Sequence, residues 1–305
     1  MAEHSTTPAV TRRAQARLGM ALVLPVLALV GLFFLLPLVT AIYFAFVDFH
    51  GFEADPPFIG FDNFVELAND PAVLPAFVNN IIWIIVGTAA PLVIGLLVAL
   101  AMWNVRRGST FYRLAFFLPY ILPASAIGVI WSWIYDPIRG WLNQGMELIG
   151  LGHLGTGWLG DPNTALWAVL ATAVWTAAGF VVVIFLAALR NVDLELIDAA
   201  LIDGAGAFQR LRYVILPQIM PVFLMVTTIT LIGGFAVFDI IFVMTGGGPA
   251  RATEVLGTYA YDNAFRLNRM SYGTTLALVI TILAVPFTIG LNRLQRHWSL
   301  YRTGA

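Results

Sequence analysis

Side chains able to do covalent or proton-transfer chemistry are scarce in this sequence, and the gaps are informative. There is no cysteine, which removes thiol nucleophiles, disulfides and cysteine metal sites. There is no lysine either; all 16 basic residues are arginines. A phosphate-binding P-loop sets a lysine against the β- and γ-phosphates. The chain therefore cannot build one, and any ATP-driven step must use another polypeptide. His4, His50, His153 and His297 are scattered among tails and loops without metal-ligand spacing. The residues predict no catalytic group and no metal site.

What remains is one polar, patterned stretch within an apolar body, Asp198 to Pro217, reading DAALIDGAGAFQRLRYVILP. Ala199, Ala200, Leu201 and Ile202 favour helix. Gly204 supplies a residue that reverses the chain without a Cβ penalty. Beyond it Phe208, Leu211 and Ile215 recur at helical spacing, with Gln209, Arg210 and Arg212 on other faces. The spacing predicts a short helical hairpin, with Pro217 closing its second helix and able to open the next membrane span. By itself Asp203-Gly204 reads mostly as a plain turn between two helices.

The rest of the chain must hold that hairpin in place, and its composition says how. Of 305 residues, 60% are hydrophobic and 11% charged, with a mean hydropathy of +0.85. So much apolar surface cannot be hidden in one water-soluble core. The first apolar run, Leu18 to Val47, is about twice the length of a signal peptide's apolar region and reads as a retained span. Five further runs can cross roughly 30 Å of hydrocarbon at about 1.5 Å per residue. They are Ile81–Trp103, Leu114–Tyr135, Ala165–Leu189, Met220–Met244 and Thr274–Leu291. The predicted fold is all-α, a polytopic membrane bundle of six transmembrane helices with a helical hairpin on one side. It divides into a tail at 1–17, a membrane domain at 18–292 and a tail at 293–305.

Arginine placement fixes the sides. Arg12, Arg13, Arg17, Arg106, Arg107, Arg113, Arg190, Arg210, Arg212, Arg293, Arg296 and Arg302 fall on the side of the termini and the hairpin. Only Arg139, Arg251, Arg266 and Arg269 fall on the other. Twelve against four predicts cytoplasmic termini and a cytoplasmic hairpin.

The hairpin resembles the cytoplasmic coupling loop of binding-protein-dependent ABC importer permeases, through Asp198, Ala199, Ala200, Asp203, Gly204, Ala205, Gln209, Leu216 and Pro217. It departs from that pattern in having Asp198 where glutamate is usual and Leu211 where an aromatic is common. The first outer loop contains Phe58-Ile59-Gly60-Phe61-Asp62-Asn63-Phe64, similar to a segment of the carbohydrate branch. The last contains Gly246-Gly247-Gly248-Pro249 with Thr253, resembling the outer loop of maltose-type permeases, in particular their first membrane subunit. A glycine run reads equally as a flexible hinge. After it Tyr259, Tyr261 and Phe265 suggest a short helix at the outer surface.

The resemblance implies a chain that binds no cofactor, with ATP and Mg on two copies of a cytoplasmic ATPase that the hairpin, within 190–217, engages. It also implies a second permease subunit, an extracytoplasmic solute-binding protein docking on the Gly246–Thr253 loop, surrounding lipid, no nucleic acid, and a prokaryotic inner-membrane location. The implied solute is a di- or oligosaccharide, with glycerol-phosphate esters or polyols as alternatives. Its path would run along the fourth and fifth spans near Trp175, Thr176, Phe180, Gly233, Gly234, Phe235 and Phe238. Aromatic faces there suit sugar rings, although helical spacing of aromatics also describes plain packing, and Gly233-Gly234 a close helix contact. Asp239 reads as the one acid inside a span, either lining the path or reaching outer water about 7–8 Å from the helix end. A rival of another class is a secondary transporter driven by an ion gradient. It would call for paired mid-membrane ionisable groups or duplicated halves.

Overall fold

The computed structural model describes residues 9–105 and 107–303, with side chains described over 17–105 and 107–296. The side chains of His4, Arg12, Arg13, Arg106, His297 and Arg302 therefore lie outside the described residues. Twelve helices carry the argument. α1 is Arg17–Phe44, the apolar part of a helix that begins at Ala9. α2 is Asp62–Asn69, α3 Val73–Met102, α4 Ser109–Ile121 and α5 Ala124–Ile134. α6 is Trp141–Leu148, α7 Ala165–Leu189 and α8 Leu194–Ile202. α9 is Ala207–Phe235; α10 is Asp239–Met244, α11 Leu256–Tyr261 and α12 Met270–Thr303. Among the described residues there is no strand, only an isolated bridge between Val47 and Phe58.

Among the described residues five helices are long and apolar enough to cross a membrane, or six if the bent pair α4–α5 is one span. The fourth span has the predicted limits, Ala165–Leu189. Two others, and the end of the hairpin, differ from the sequence expectation. The run Leu114–Tyr135 is not one straight helix: α4 and α5 meet at 99° across Leu122-Pro123. Proline lacks an N–H and drives its predecessor out of the helical region, and Leu122 is extended at φ −72°, ψ 144°. Pro217 does not close a helix. A π-turn at Leu211–Ile215 precedes it, and the helix continues from the hairpin to Phe235. The π-turn shifts the hydrogen-bond register immediately before a residue that cannot donate. The fifth span also stops at Phe235 rather than Met244, because the chain breaks at Ala236–Phe238 before α10.

α7 is the central post, packed most extensively on α3 and then on α4. Three apolar clusters align along the bundle. One joins α8 and the start of α9 to α3 and α7 through Val192, Ile215, Ile219, Val181 and Phe185. One centres on Trp83, Ile127, Val169 and Ile241, and the third on Tyr259, Tyr272 and Leu276. The α4–α7 contact depends on Gly179, where an added Cβ would stand 1.9 Å from the Phe116 carbonyl oxygen. Gly179→Ala should therefore push the helices apart and destabilise the protein by about 2 kcal/mol. Thermal unfolding in detergent measures this; an unchanged midpoint would refute the tight crossing.

Candidate functional site

The hairpin α8–α9 is built from its own sequence. Asp193 starts α8 by accepting a hydrogen bond from the Glu195 N–H at 2.9 Å, which satisfies one open donor of the first turn. Gly204 ends it at φ +79°. Its N–H donates to the Leu201 carbonyl at 3.1 Å, and the Ala205 N–H to Ala200 at 2.9 Å. That pair of bonds is a Schellman closure. Gln209 starts the second helix by accepting from the Gly206 N–H at 2.7 Å. Arg210 donates to the Ala205 carbonyl at 2.7 Å. Gln218 ties the two helices by accepting from the Asp193 N–H at 2.9 Å; the sequence reading missed it, although its place directly after Pro217 puts it within reach of the hairpin's start.

Packing and exposure divide this hairpin in two. Leu211, Ile215 and Leu216 lie against the cluster of α3 and α7, while Asp198, Ala199, Asp203, Gly204 and Gln209 are exposed. So are large apolar residues: Ile202 is 86% exposed and Phe208 75%, with Leu201 and Tyr213 beside them in sequence. Phe208 shares the helical spacing of Leu211 and Ile215 but not their burial, and the π-turn at Leu211–Ile215 lies between it and the buried Ile215. Exposed apolar side chains on a rigid hairpin make a surface suited to a partner.

The opposite, loop end holds a second ordered network. Asp70, just after α2, accepts from the Tyr259 hydroxyl at 2.5 Å, the Tyr272 hydroxyl at 2.6 Å and the Ala72 N–H at 2.9 Å. Burial works to raise its pKa. The two tyrosine hydroxyls, the Ala72 N–H and Arg251 outweigh it and hold the carboxyl below its ordinary value. Asn79 donates to the carbonyls of Ala252 and Glu254 at 3.1 and 2.8 Å. Asn80 accepts from the Leu256 N–H at 2.8 Å. Asn63, in the aromatic segment, caps the end of α1 by donating to the carbonyls of Ala45 and Val47. The sequence assigned none of the four this role, although Asn63 lies in the quoted aromatic segment; for Asn79 and Asn80 the pair inside an apolar run was the available signal.

The glycine loop is folded rather than a loose hinge. Thr253 is fully buried and donates to the Gly248 carbonyl at 2.7 Å. It also shares a 2.7 Å hydroxyl contact with Thr245. Thr253 therefore shapes the loop from inside and cannot itself touch a partner, while Gly246, Gly248 and Pro249 are half-buried and Gly247 is buried.

The expected path residues do not form one surface. Gly234 is a helix contact, its Cβ position lying 3.2 Å from Ile84 Cα, and Phe235 is buried against Phe287 at 5.7 Å. Gly233 faces open space. Phe180 stacks on Tyr120 at 4.7 Å and Phe238 on Phe242 at 5.0 Å. Thr176 bonds back to the Thr172 carbonyl at 3.0 Å. Trp175 is 45% exposed and lines a mainly apolar cavity of about 490 Å³ with Ile94, Phe116 and Val182. Asp239 lies outside the long apolar helix, exposed in the first turn of α10.

Comparison with known proteins fits this arrangement. The family model described as "Binding-protein-dependent transport system inner membrane component" matches residues 91–299. The chain is 32% identical over 275 residues to the "Probable ABC transporter permease protein YurN" of Bacillus subtilis, covering 90% of this chain and 92% of that one. It is 34% identical to the "Diacetylchitobiose uptake system permease protein NgcF" of Streptomyces coelicolor, covering 86% and 77%. Its fold matches a chain of the crystal structure of a bacterial ABC transporter involved in alginate import, with a TM-score of 0.80 at 22% identity over 94% of this chain and 98% of that one. This chain, a bent bundle of apolar helices carrying a helical hairpin and matched by a family model over most of its length, belongs to the multi-pass membrane permeases of binding-protein-dependent ABC transport systems.

Proposed function

We propose that this chain is one of two permease subunits of an ABC importer for a carbohydrate, a di- or oligosaccharide. The observation that carries the reading is the Schellman-closed hairpin with Ile202 and Phe208 exposed beside it. One of two copies of a separate ATPase, holding ATP and Mg, engages this hairpin at 190–217, with both termini on the same cytoplasmic side. An extracytoplasmic binding protein delivers solute at the loop end of an inner-membrane assembly. The carbohydrate reading is supported by relatives named for diacetylchitobiose, starch degradation products and trehalose/maltose. A relative named for sn-glycerol-3-phosphate, 30% identical, makes that ester the control solute.

The test is purification of the chain with its co-purifying subunits, reconstitution in vesicles, and assay of ATP hydrolysis with the binding protein present. Hydrolysis stimulated by diacetylchitobiose or maltotriose and not by glycerol 3-phosphate is the expected result. Stimulation by the ester alone would overturn the carbohydrate reading. Solute uptake by the isolated chain in ATP-free vesicles would overturn the ATP-driven one.

A further inference from the structure

At the loop end a cavity of about 380 Å³ is walled by Gly246, Gly247 and Gly248 on one side and by Arg251, Glu254, Asp262 and Arg266 on the other. Glu254 is only 5% exposed, and its Oε2 is buried without a hydrogen-bond donor. Burying a carboxylate with an open acceptor position is costly, so such groups are normally satisfied. The Glu254 backbone is anchored by Asn79, which donates to its carbonyl. Gly247 runs beside it, its Cβ position 3.6 Å from Glu254 Cβ.

The cations nearby do not fill the gap. Arg251 Nε stands 3.5 Å from Oε2, beyond a normal charge-assisted bond. Its guanidinium lies over the Tyr259 ring at 5.2 Å. Arg266 pairs with Asp262 at 3.0 Å and covers the Phe242 ring. Burial first, then Asp262 and Asp70, push the Glu254 carboxyl up against the opposing pull of Arg251. Within the cavity Glu254 and Asp262 stand against Arg251 and Arg266, and Asp70 outside it adds negative charge felt at Glu254. The wider surface has the same sign: the connections 45–72, 135–164 and 236–269 contain twelve acidic residues and four arginines.

We propose that this cavity is a socket for one basic side chain, a lysine or arginine on the docking face of the solute-binding protein, with the buried Glu254 carboxylate as its acceptor. The proposal rests on the binding-protein partnership above and goes further, naming the residue that receives the partner and the charge the partner must bring. An incoming ammonium or guanidinium supplies the missing donor to Oε2 and brings the charge opposite to that of the acidic loops. Oε2 itself has no exposed surface, so the exposed Arg251 side chain beside it swings aside to let the newcomer in.

The assembled transporter in nanodiscs, titrated with its binding protein at several salt concentrations, tests the socket. Glu254→Gln keeps the shape, removes the charge and should not lower the thermal unfolding midpoint. Docking should weaken at least about 30-fold, with a shallower salt dependence than the wild type. A lysine and arginine to alanine scan of the binding protein should find one substitution that weakens docking to the wild type but not to Glu254→Gln. Unchanged affinity in Glu254→Gln, weakening that follows a fall in thermal stability, or no such paired residue would overturn the socket. Wild-type transporter that binds no binding protein at all would instead overturn the partnership itself.

Discussion

Gly204→Val should uncouple solute uptake from ATP hydrolysis while leaving the chain in the membrane. The turn holds Gly204 at φ +79°, where any L residue pays about 1–2 kcal/mol and a β-branched one more. Nothing lies within 4 Å of a Cβ there, so the penalty is backbone strain alone. About 1.4 kcal/mol is tenfold in a conformational equilibrium. The Schellman closure would open in most molecules, and α8 would lose its fixed angle to α9. Uptake should therefore fall tenfold or more, with insertion and the cluster around Ile219 and Phe185 undisturbed. Gly204→Asn, which tolerates the left-handed region far better, should restore most of the activity. Wild-type uptake in Gly204→Val, at equal membrane abundance, would refute a mechanical role for the hairpin.

The hairpin was the most legible part of the chain because its rules are local. A glycine turn is set by neighbours within a few residues, so Gly204 reverses the chain where its order places it; the caps at Asp193 and Gln209 obey equally local rules but were seen only in the structure. Span existence was legible for the same reason: hydropathy is summed along the chain. The ends and bends of the spans were not. Pro123 and Pro217 look alike in sequence, yet one bends the chain by 99° and the other sits inside a continuous helix. What separates them is a π-turn, a choice of hydrogen-bond register that residue types do not announce. The packing of Gly234 on Ile84 and the burial of Phe235 were not legible, because distance from the hairpin says nothing about which face of α9 meets α3. The loop-end network was invisible because its contacts join residues far apart in sequence, such as Asp70 and Tyr272.

That network yields the second large effect, and its asymmetry identifies the group that matters. Asp70→Ala leaves the hydroxyls of Tyr259 and Tyr272 without their acceptor. Tyr272 is 2% exposed and Tyr259 7%, so water cannot readily replace it. At about 1–3 kcal/mol for each buried donor left unpaired, the loss should be roughly 4 kcal/mol. The paired change Tyr259→Phe with Tyr272→Phe removes the same two bonds but leaves behind a half-exposed carboxylate that can turn to water. It should therefore cost clearly less, even though it alters two residues. Thermal unfolding of both variants in detergent decides the matter, and equal losses would mean that the bonds are replaced by solvent. The pH response has a definite sign. A carboxyl held below its ordinary value contributes stability above its unfolded pKa, near 3.8, and loses it as pH falls through the lower folded value. The clamp should thus be intact from neutral pH down to about pH 4 and weaken only below it. An Asp70-dependent loss of stability between pH 7 and pH 5 would show that the tyrosines do not hold the charged form.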